Sequence, residues 1–228
     1  VPERKNIING YLVDVRRSWW DRLRWLGPVE AMPVYEEDPQ ALIADLSQDG
    51  QFPFRARSLP YQEFYLKGDW WYAERDVPRR AAILGFAPKP GESVLDLGCA
   101  TGGFLQLAAL AGAGPLIGLD SQVEYLGLAQ RLARASDMNI CYRQSDLDGT
   151  LLACNGLSAD AALAWLRQIL PDYGRRLDHL LLLSMEKHLG PTWLWWWVDQ
   201  LQAQHTYLES NATTPDLWPL REEVERRG

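Results

Sequence analysis

The sequence predicts an α/β fold: an open parallel sheet with helices on both faces. Two observations carry that prediction. From Gly91 onward, short apolar strand-like runs alternate with helix-length amphipathic segments, and the first three of those runs each carry an aspartate at or near their end. Strands alternating with helices of about ten to fifteen residues imply right-handed crossovers, and a sheet covered on both faces needs strands that are nearly continuously apolar.

The elements follow in order. "SVLDLG" is a strand ending in a glycine turn, "FLQLAALAGA" a helix stopped by glycine, and "PLIGLD" a second strand. "QVEYLGLAQRLARASD" is a helix and "NICYRQSD" a third strand. "LDHLLLLS", "TWLWWWVDQLQAQ" and "HTYLES" then read as strand, helix and strand. Residues 150–173 separate the third and fourth strands by more than one crossover needs, and read as an insertion. It contains an additional helix, "SADAALAWLRQIL", with Ser158 or Asp160 near its N-terminus.

Residues 1–88 are predicted as a helical, aromatic extension or cap, and residues 89–228 as the ligand-binding domain. The extension includes an amphipathic helix pattern, "RRSWWDRLRWLG", and the Pro-containing aromatic stretch "QFPFRARSLPYQEFYLKGDWWY". Its aromatics either cover a ligand or pack the extension onto the sheet.

Composition restricts the function classes. A chain of 228 residues, 47% hydrophobic, can bury the core of one large domain with an extension. There is no run of about 18 apolar residues and no basic-then-apolar leader, so neither a membrane span nor a signal peptide is predicted. Cys99, Cys141 and Cys154 lack metal-site spacing and suit reduced thiols, so no metal is expected and the reading is cytoplasmic. The net charge of −7 disfavours a nucleic-acid partner without excluding a local basic patch such as Arg16, Arg17, Arg22 and Arg24.

The loop Gly98-Cys99-Ala100-Thr101-Gly102-Gly103 lacks both the GxGxxG spacing of a dinucleotide site and the Gly-Lys-Ser/Thr of a P-loop. Its glycines still let a ligand approach the backbone, and the following helix presents N–H groups to a carboxylate as readily as to a phosphate. Asp96, Asp120 and Asp146 end three strands whose carboxyl ends share one crevice in an open parallel sheet. The first can meet an ammonium, the second both hydroxyls of a ribose, and the third an exocyclic amine. A ligand with ammonium, carboxylate, ribose and adenine, and no phosphate, is S-adenosylmethionine. The bland alternative is that the three acids only cap strand ends.

On these residues the sequence resembles the class I, Rossmann-like, S-adenosylmethionine-dependent methyltransferases. "VLDLGCATGG" is similar to their first motif, "LIGLDSQ" to the acidic end of their second strand and "NICYRQSDL" to their third-strand motif, and the resemblance covers about Lys89 to Asn211. It implies that Asp96, Gly98, Ala100 and Gly102 surround the methionine part, Asp120 and Ser121 the ribose, and Asp146 with Leu147 the adenine. "SLPYQEFYLKGDWWYAERDVPRRAAIL" is more loosely similar to the lead-in of some small-molecule and tRNA wobble-uridine methyltransferases. That likeness names Tyr61, Tyr65 and Arg75 as residues closing over the cofactor.

"SMEKHLG" follows the fourth strand, where the family places residues between cofactor and substrate. Ser184 is assigned there to the cofactor and His188 to general-base catalysis, because an imidazole titrates near neutral pH. Glu186 is assigned to binding substrate charge or tuning His188, and the alternative for His188 is that it caps a turn or sits beside the adenine. His179, in the body of a strand, reads as structural and His205 as a strand start.

The family's sheet ordinarily gains further strands after another helix, whereas here "TTPDLWPLREEVERRG" reads as a helix at the end of the chain. The expectation is that C-terminal strands are missing, with the exposed sheet edge covered by residues 1–60 or by a second subunit. The functional expectation is O- or N-methylation of a small-molecule acceptor. The alternatives are a tRNA methyltransferase and a non-catalytic, cofactor-binding scaffold subunit.

Overall fold

A computed structural model describes the backbone of residues 6–8 and 11–13, and residues 62–66, 68–71, 73, 75–148, 156–170 and 177–209. The side chains of Glu186 and Lys187 are outside that set. The predicted helices at 16–27 and 213–228, Tyr61 and Cys154 also lie outside it.

The predicted sheet is present. It is built from β5 (Val94–Leu97), β6 (Leu116–Asp120), β7 (Cys141–Asp146), β8 (Leu157–Ser158), β9 (His179–Leu183) and β10 (His205–Glu209). They lie in the spatial order β10-β9-β5-β6-β7-β8, with every pairing parallel. The chain walks outward from β5 to β8 and then returns to β9 beside β5. That reversal opens a crevice at the carboxyl end of β5.

The helices α1 (Val77–Leu84), α2 (Gly103–Leu110), α3 (Val123–Ala135), α4 (Ala159–Ile169) and α5 (Glu186–Leu201) cover the two faces. Alternation along each strand divides the core. Leu95, Leu97, Ile117, Leu119, Leu180 and Leu182 pack toward α4 and α5, while Val94, Leu116, Tyr142, Leu181 and Leu183 pack toward α1, α2 and α3. By the same alternation Asp96, Asp120, Asp146 and Glu209 all belong to the α1–α3 face.

Several caps justify the helix starts. Asp76 accepts from Arg79 N–H at 2.8 Å with Pro78 in the first turn of α1, and Ser158 accepts from Ala161 N–H at 3.3 Å at the start of α4. Ser158 is thus the cap of the helix expected in residues 150–173. That helix corrects the reading of an insertion: it is the crossover that carries the chain from β7 back to β9. The connection is long because two residues first pair with β7 as β8.

The helix predicted in the extension lies outside the described residues. The described part of the extension contains two antiparallel hairpins, β1 (Asn6–Ile8) with β2 (Tyr11–Val13), and β3 (Phe64–Leu66) with β4 (Asp69–Trp71). Lys67-Gly68 between alternating aromatic runs is a two-residue turn signal, with Gly68 at φ +104°. The second hairpin lies on the helices. Phe64 and Leu66 pack with Leu128 and Leu132 of α3, and Phe64 stacks on Trp71 at 6.4 Å. Buried Gln106 of α2 clamps it reciprocally, accepting from Tyr65 N–H and donating to Tyr65 O, each at 2.9 Å.

His179 starts β9 at the amino end of the sheet, remote from the acids. Its Nε2 pairs with Glu92 at 2.9 Å and its Nδ1 with the Tyr207 hydroxyl at 3.2 Å, and its ring stacks on that of His205, which begins β10. Both histidines occupy the structural positions expected of them.

Candidate active site at the carboxyl ends of the strands

The loop after β5 turns through three left-handed residues: Gly98 at φ +77°, Ala100 at +47° and Gly102 at +78°. A Cβ at Gly98 would overlap the Met185 sulfur, and one at Gly102 the Tyr142 hydroxyl. At Gly103 it would overlap the Glu63 carbonyl. The glycines therefore serve both the turn and close packing around it. Ala100 holds the same backbone region at a cost to an L side chain. Ala100→Gly is expected to leave stability unchanged or raise it by up to about 1 kcal/mol, while Gly102→Ala lowers it by about 1 to 3 kcal/mol through strain and overpacking. Denaturant melts of both variants check the contrast, and equal effects would contradict it.

Asp120 is buried at the end of β6 and accepts from two backbone donors, Ala100 N–H on Oδ2 and Gln122 N–H on Oδ1, each at 2.9 Å. Burial raises its carboxyl above the ordinary aspartate range, while those bonds and the nearby His188 oppose the rise. Asp120 thus joins the glycine loop to the β6–α3 turn and keeps lone pairs for a ligand. Ser121 O accepts from Gln144 Nε2 at 2.9 Å, which ties that turn to β7.

Asp146 is buried at the end of β7, followed by buried Leu147. Trp197 Nε1, fully enclosed on α5, donates to Leu147 O at 3.0 Å and fixes the backbone there.

Asp96 is 2% exposed, and burial with the nearby Asp120 pushes its carboxyl up to about 7, against the pull of Arg80. Arg80 comes from the buried face of α1. It makes a two-pronged ion pair with Glu209 at the end of β10, with Nε to Oε1 at 2.9 Å and Nη2 to Oε2. Ser184 completes the cluster, its N–H donating to Glu209 O at 2.6 Å and its hydroxyl to Glu209 Oε2 at 3.2 Å. Arg80 and Ser184 hold the Glu209 carboxyl below its ordinary range despite burial, with Arg75 adding to the effect.

Beyond Ser184, the first turn of α5 carries Glu186 and exposed His188, whose N–H donates to Met185 O at 3.0 Å. The helix geometry breaks at Gly190, at φ +67° and ψ +165°, before Pro191. That backbone region is essentially restricted to glycine, and the break makes the His188 turn a separate piece from the body of α5.

The crevice therefore gathers Asp96, Gly98, Ala100, Gly102, Asp120, Ser121, Asp146, Leu147 and Ser184 at the strand ends, with His188 facing Asp120 electrostatically and Arg75 acting on Glu209. Tyr65 does not join them. Its carbonyl accepts from Gln106 and, at 3.3 Å, from the Ser136 hydroxyl at the C-terminal end of α3, which is the far end from Asp120. The grip of Gln106 on its backbone N–H and C=O takes it there. Sequence reasoning missed Arg80, Glu209 and Trp197. The signal for Arg80 was present, because Val77, Arg80, Ala81 and Leu84 share one helical face and a charge on an apolar face needs a buried partner.

The order of parallel strands, the glycine loop after β5 and the acids at three successive strand ends make a Rossmann-like α/β domain. Residues 94–179 match the profile of a family described as methyltransferase domain, a class whose donor is S-adenosylmethionine. No curated protein matches the chain.

Among solved structures, the chain is similar to magnesium protoporphyrin IX methyltransferase of Synechocystis with bound S-adenosylhomocysteine (20% identity, 65% of this chain and 60% of that one, TM-score 0.41). It is also similar to precorrin 8w decarboxylase of Methanobacterium thermoautotrophicum (16% identity, 72% and 78%, TM-score 0.48). A third is the tRNA (uracil-54, C5)-methyltransferase of Pyrococcus abyssi (12% identity, 71% and 37%, TM-score 0.46). The chain spans less than two thirds of the length of the first and third of these. Among the described residues no helix is long and apolar enough to cross a membrane, and no group of three or more His, Cys, Asp or Glu could hold a metal ion.

Proposed function

We propose that this chain methylates the oxygen or nitrogen of a small-molecule acceptor. The observation that carries the reading is the convergence of Asp96, Asp120 and Asp146 on one face of the sheet at the ends of adjacent strands. The residues fit S-adenosylmethionine: Asp96 for the ammonium, Asp120 for the ribose hydroxyls, Asp146 and Leu147 for the adenine, and open glycine backbone between them. When bound, the donor supplies an electrophilic methyl on a sulfonium. The protein's task is then to hold the acceptor in line with that methyl and to keep water out. Exposed His188 takes the acceptor's proton where one must leave, and Glu186 beside it on the same turn offers a charge for acceptor binding. The acidic balance of the chain favours a small acceptor over a polyanion.

Transfer of label from methyl-tritiated S-adenosylmethionine to a cell extract, split into small-molecule and RNA fractions, tests the reading. Label in the small-molecule fraction is expected, while label confined to RNA would establish the alternative acceptor.

Asp96 adds a pH dependence. A carboxyl raised to about 7 is protonated in the folded protein at pH values where an unfolded aspartate is ionised. Its contribution to stability is therefore present at low pH and lost as pH rises through 7. A bound ammonium has the opposite preference and needs the carboxylate. The affinity for S-adenosylhomocysteine is expected to fall by up to about tenfold per unit as pH drops below 7, with proton release on binding. Titrations at pH 5.5 and 7.5 read this, and equal affinities would remove Asp96 from ammonium binding.

A further inference from the structure

The turn that carries His188 is bounded at both ends by left-handed backbone. Ser184 precedes it at φ +62°, and Gly190 ends it at φ +67° and ψ +165°. A side chain at the Ser184 angle meets steric resistance, so the surrounding structure must hold it there. Glu209 does so, accepting from the Ser184 N–H on its carbonyl at 2.6 Å and from the Ser184 hydroxyl on Oε2 at 3.2 Å. At the other end Pro191 brings no N–H to the helix ladder, and a Cβ at Gly190 would stand in open space. The join between the turn and the body of α5 thus lacks one backbone bond and close packing.

Between those ends Leu189 packs into the core below, and Met185 supplies the contact with the glycine loop. The Met185 carbonyl accepts from His188 N–H at 3.0 Å and from Leu189 N–H at 2.9 Å, so it organises the His188 backbone directly. Its side chain is buried, and its sulfur lies so close to Gly98 that any Cβ there would overlap it. Gly98 is itself fixed, because its N–H and that of Cys99 both donate to Leu119 O, at 2.7 and 3.1 Å. A rigid loop and a weakly joined turn therefore meet at one thioether.

We propose that Met185 is a positioning residue for His188: its side chain, resting on Gly98, sets where the imidazole stands relative to the methyl donor. The inference rests on the reading above, in which the crevice holds the donor and His188 is the base. Gly98 belongs to the surface that seats the donor, so a side chain bridging Gly98 and the His188 turn refers the base to that same surface. An unbranched thioether suits the task, since it fills an irregular gap between two backbones.

The test uses the full chain and its three histidines. His179 and His205 stack on each other at the amino end of the sheet, so their imidazole proton NMR signals are internal controls for that of His188. Met185→Ala is expected to move the His188 signal and leave the other two in place. Methyl transfer from S-adenosylmethionine to a cell extract should fall by about 10- to 100-fold, the range for a misplaced reacting group, with the affinity for S-adenosylhomocysteine unchanged. Met185→Leu conserves volume and is expected to restore most of the transfer. Should the alanine variant not fold, Met185→Val, which shortens the side chain without emptying the site, is read in the same way. An unmoved His188 signal or wild-type transfer in the truncated variant would overturn the proposal. So would a common shift of all the histidines, or a loss of transfer matched by an equal loss of affinity, since either marks a core residue. Wild-type turnover in His188→Ala would sink the base reading alone, because the NMR signals report the place of the imidazole without any transfer. Failure of the unsubstituted protein to bind S-adenosylhomocysteine would count against the donor reading, an outcome distinct from any change at Met185.

Discussion

His188→Ala is expected to lower turnover by about two to four orders of magnitude, the usual contribution of a positioned base, while the affinity for S-adenosylhomocysteine stays nearly constant. His188 is exposed in the first turn of α5, apart from the helix body beyond Gly190, so its side chain can be removed without opening the core. If His188 instead caps its turn or sits beside the adenine, the substitution will change ligand affinity or stability and spare turnover. Measuring turnover and affinity on the same preparation separates the two roles. Wild-type turnover would leave alignment of acceptor and donor as the catalytic device.

Asp120→Ala should weaken S-adenosylhomocysteine by about 2 to 4 kcal/mol, from the loss of two charge-assisted hydrogen bonds whose effects partly overlap. That corresponds to roughly 30- to 1,000-fold in affinity. Part of the loss comes through the glycine loop, because Ala100 N–H and Gln122 N–H both lose their acceptor. Asp120→Asn keeps a hydrogen-bond acceptor without the charge and should fall between the two. Unchanged affinity in both variants would remove Asp120 from the ribose site.

The sheet was legible because β5, β6 and β9 are near-continuous apolar runs, as a doubly covered sheet requires, and because an acid stands at or beside the ends of β5, β6 and β7. Asp96, Asp120 and Asp146 stand out as charges at the ends of "VLDL", "LIGLD" and "CYRQSD", and their strands bring them together. Ser158 was readable as a cap by its place before "ADAALAWLRQI". The hairpin from Phe64 to Trp71 was harder. Its aromatics suit a lid and a packed hairpin equally, and only its contacts with α2 and α3 decide in favour of packing, taking Tyr65 with it. Arg80 and Glu209 were hidden for another reason. They are 129 residues apart and pair only because α1 and the end of β10 meet on one face of the sheet. A charge on the apolar side of a short helix announced that a partner existed without naming it.

The crevice at the carboxyl ends of β5, β6 and β7 is expected to bind S-adenosylmethionine. Calorimetric titration of the full chain with S-adenosylhomocysteine tests it most directly. Saturable binding at one site per chain is expected, weakened by Asp120→Ala and weakened as pH falls below 7. An absence of saturable heat at neutral pH, from protein whose melt shows it to be folded, would contradict it.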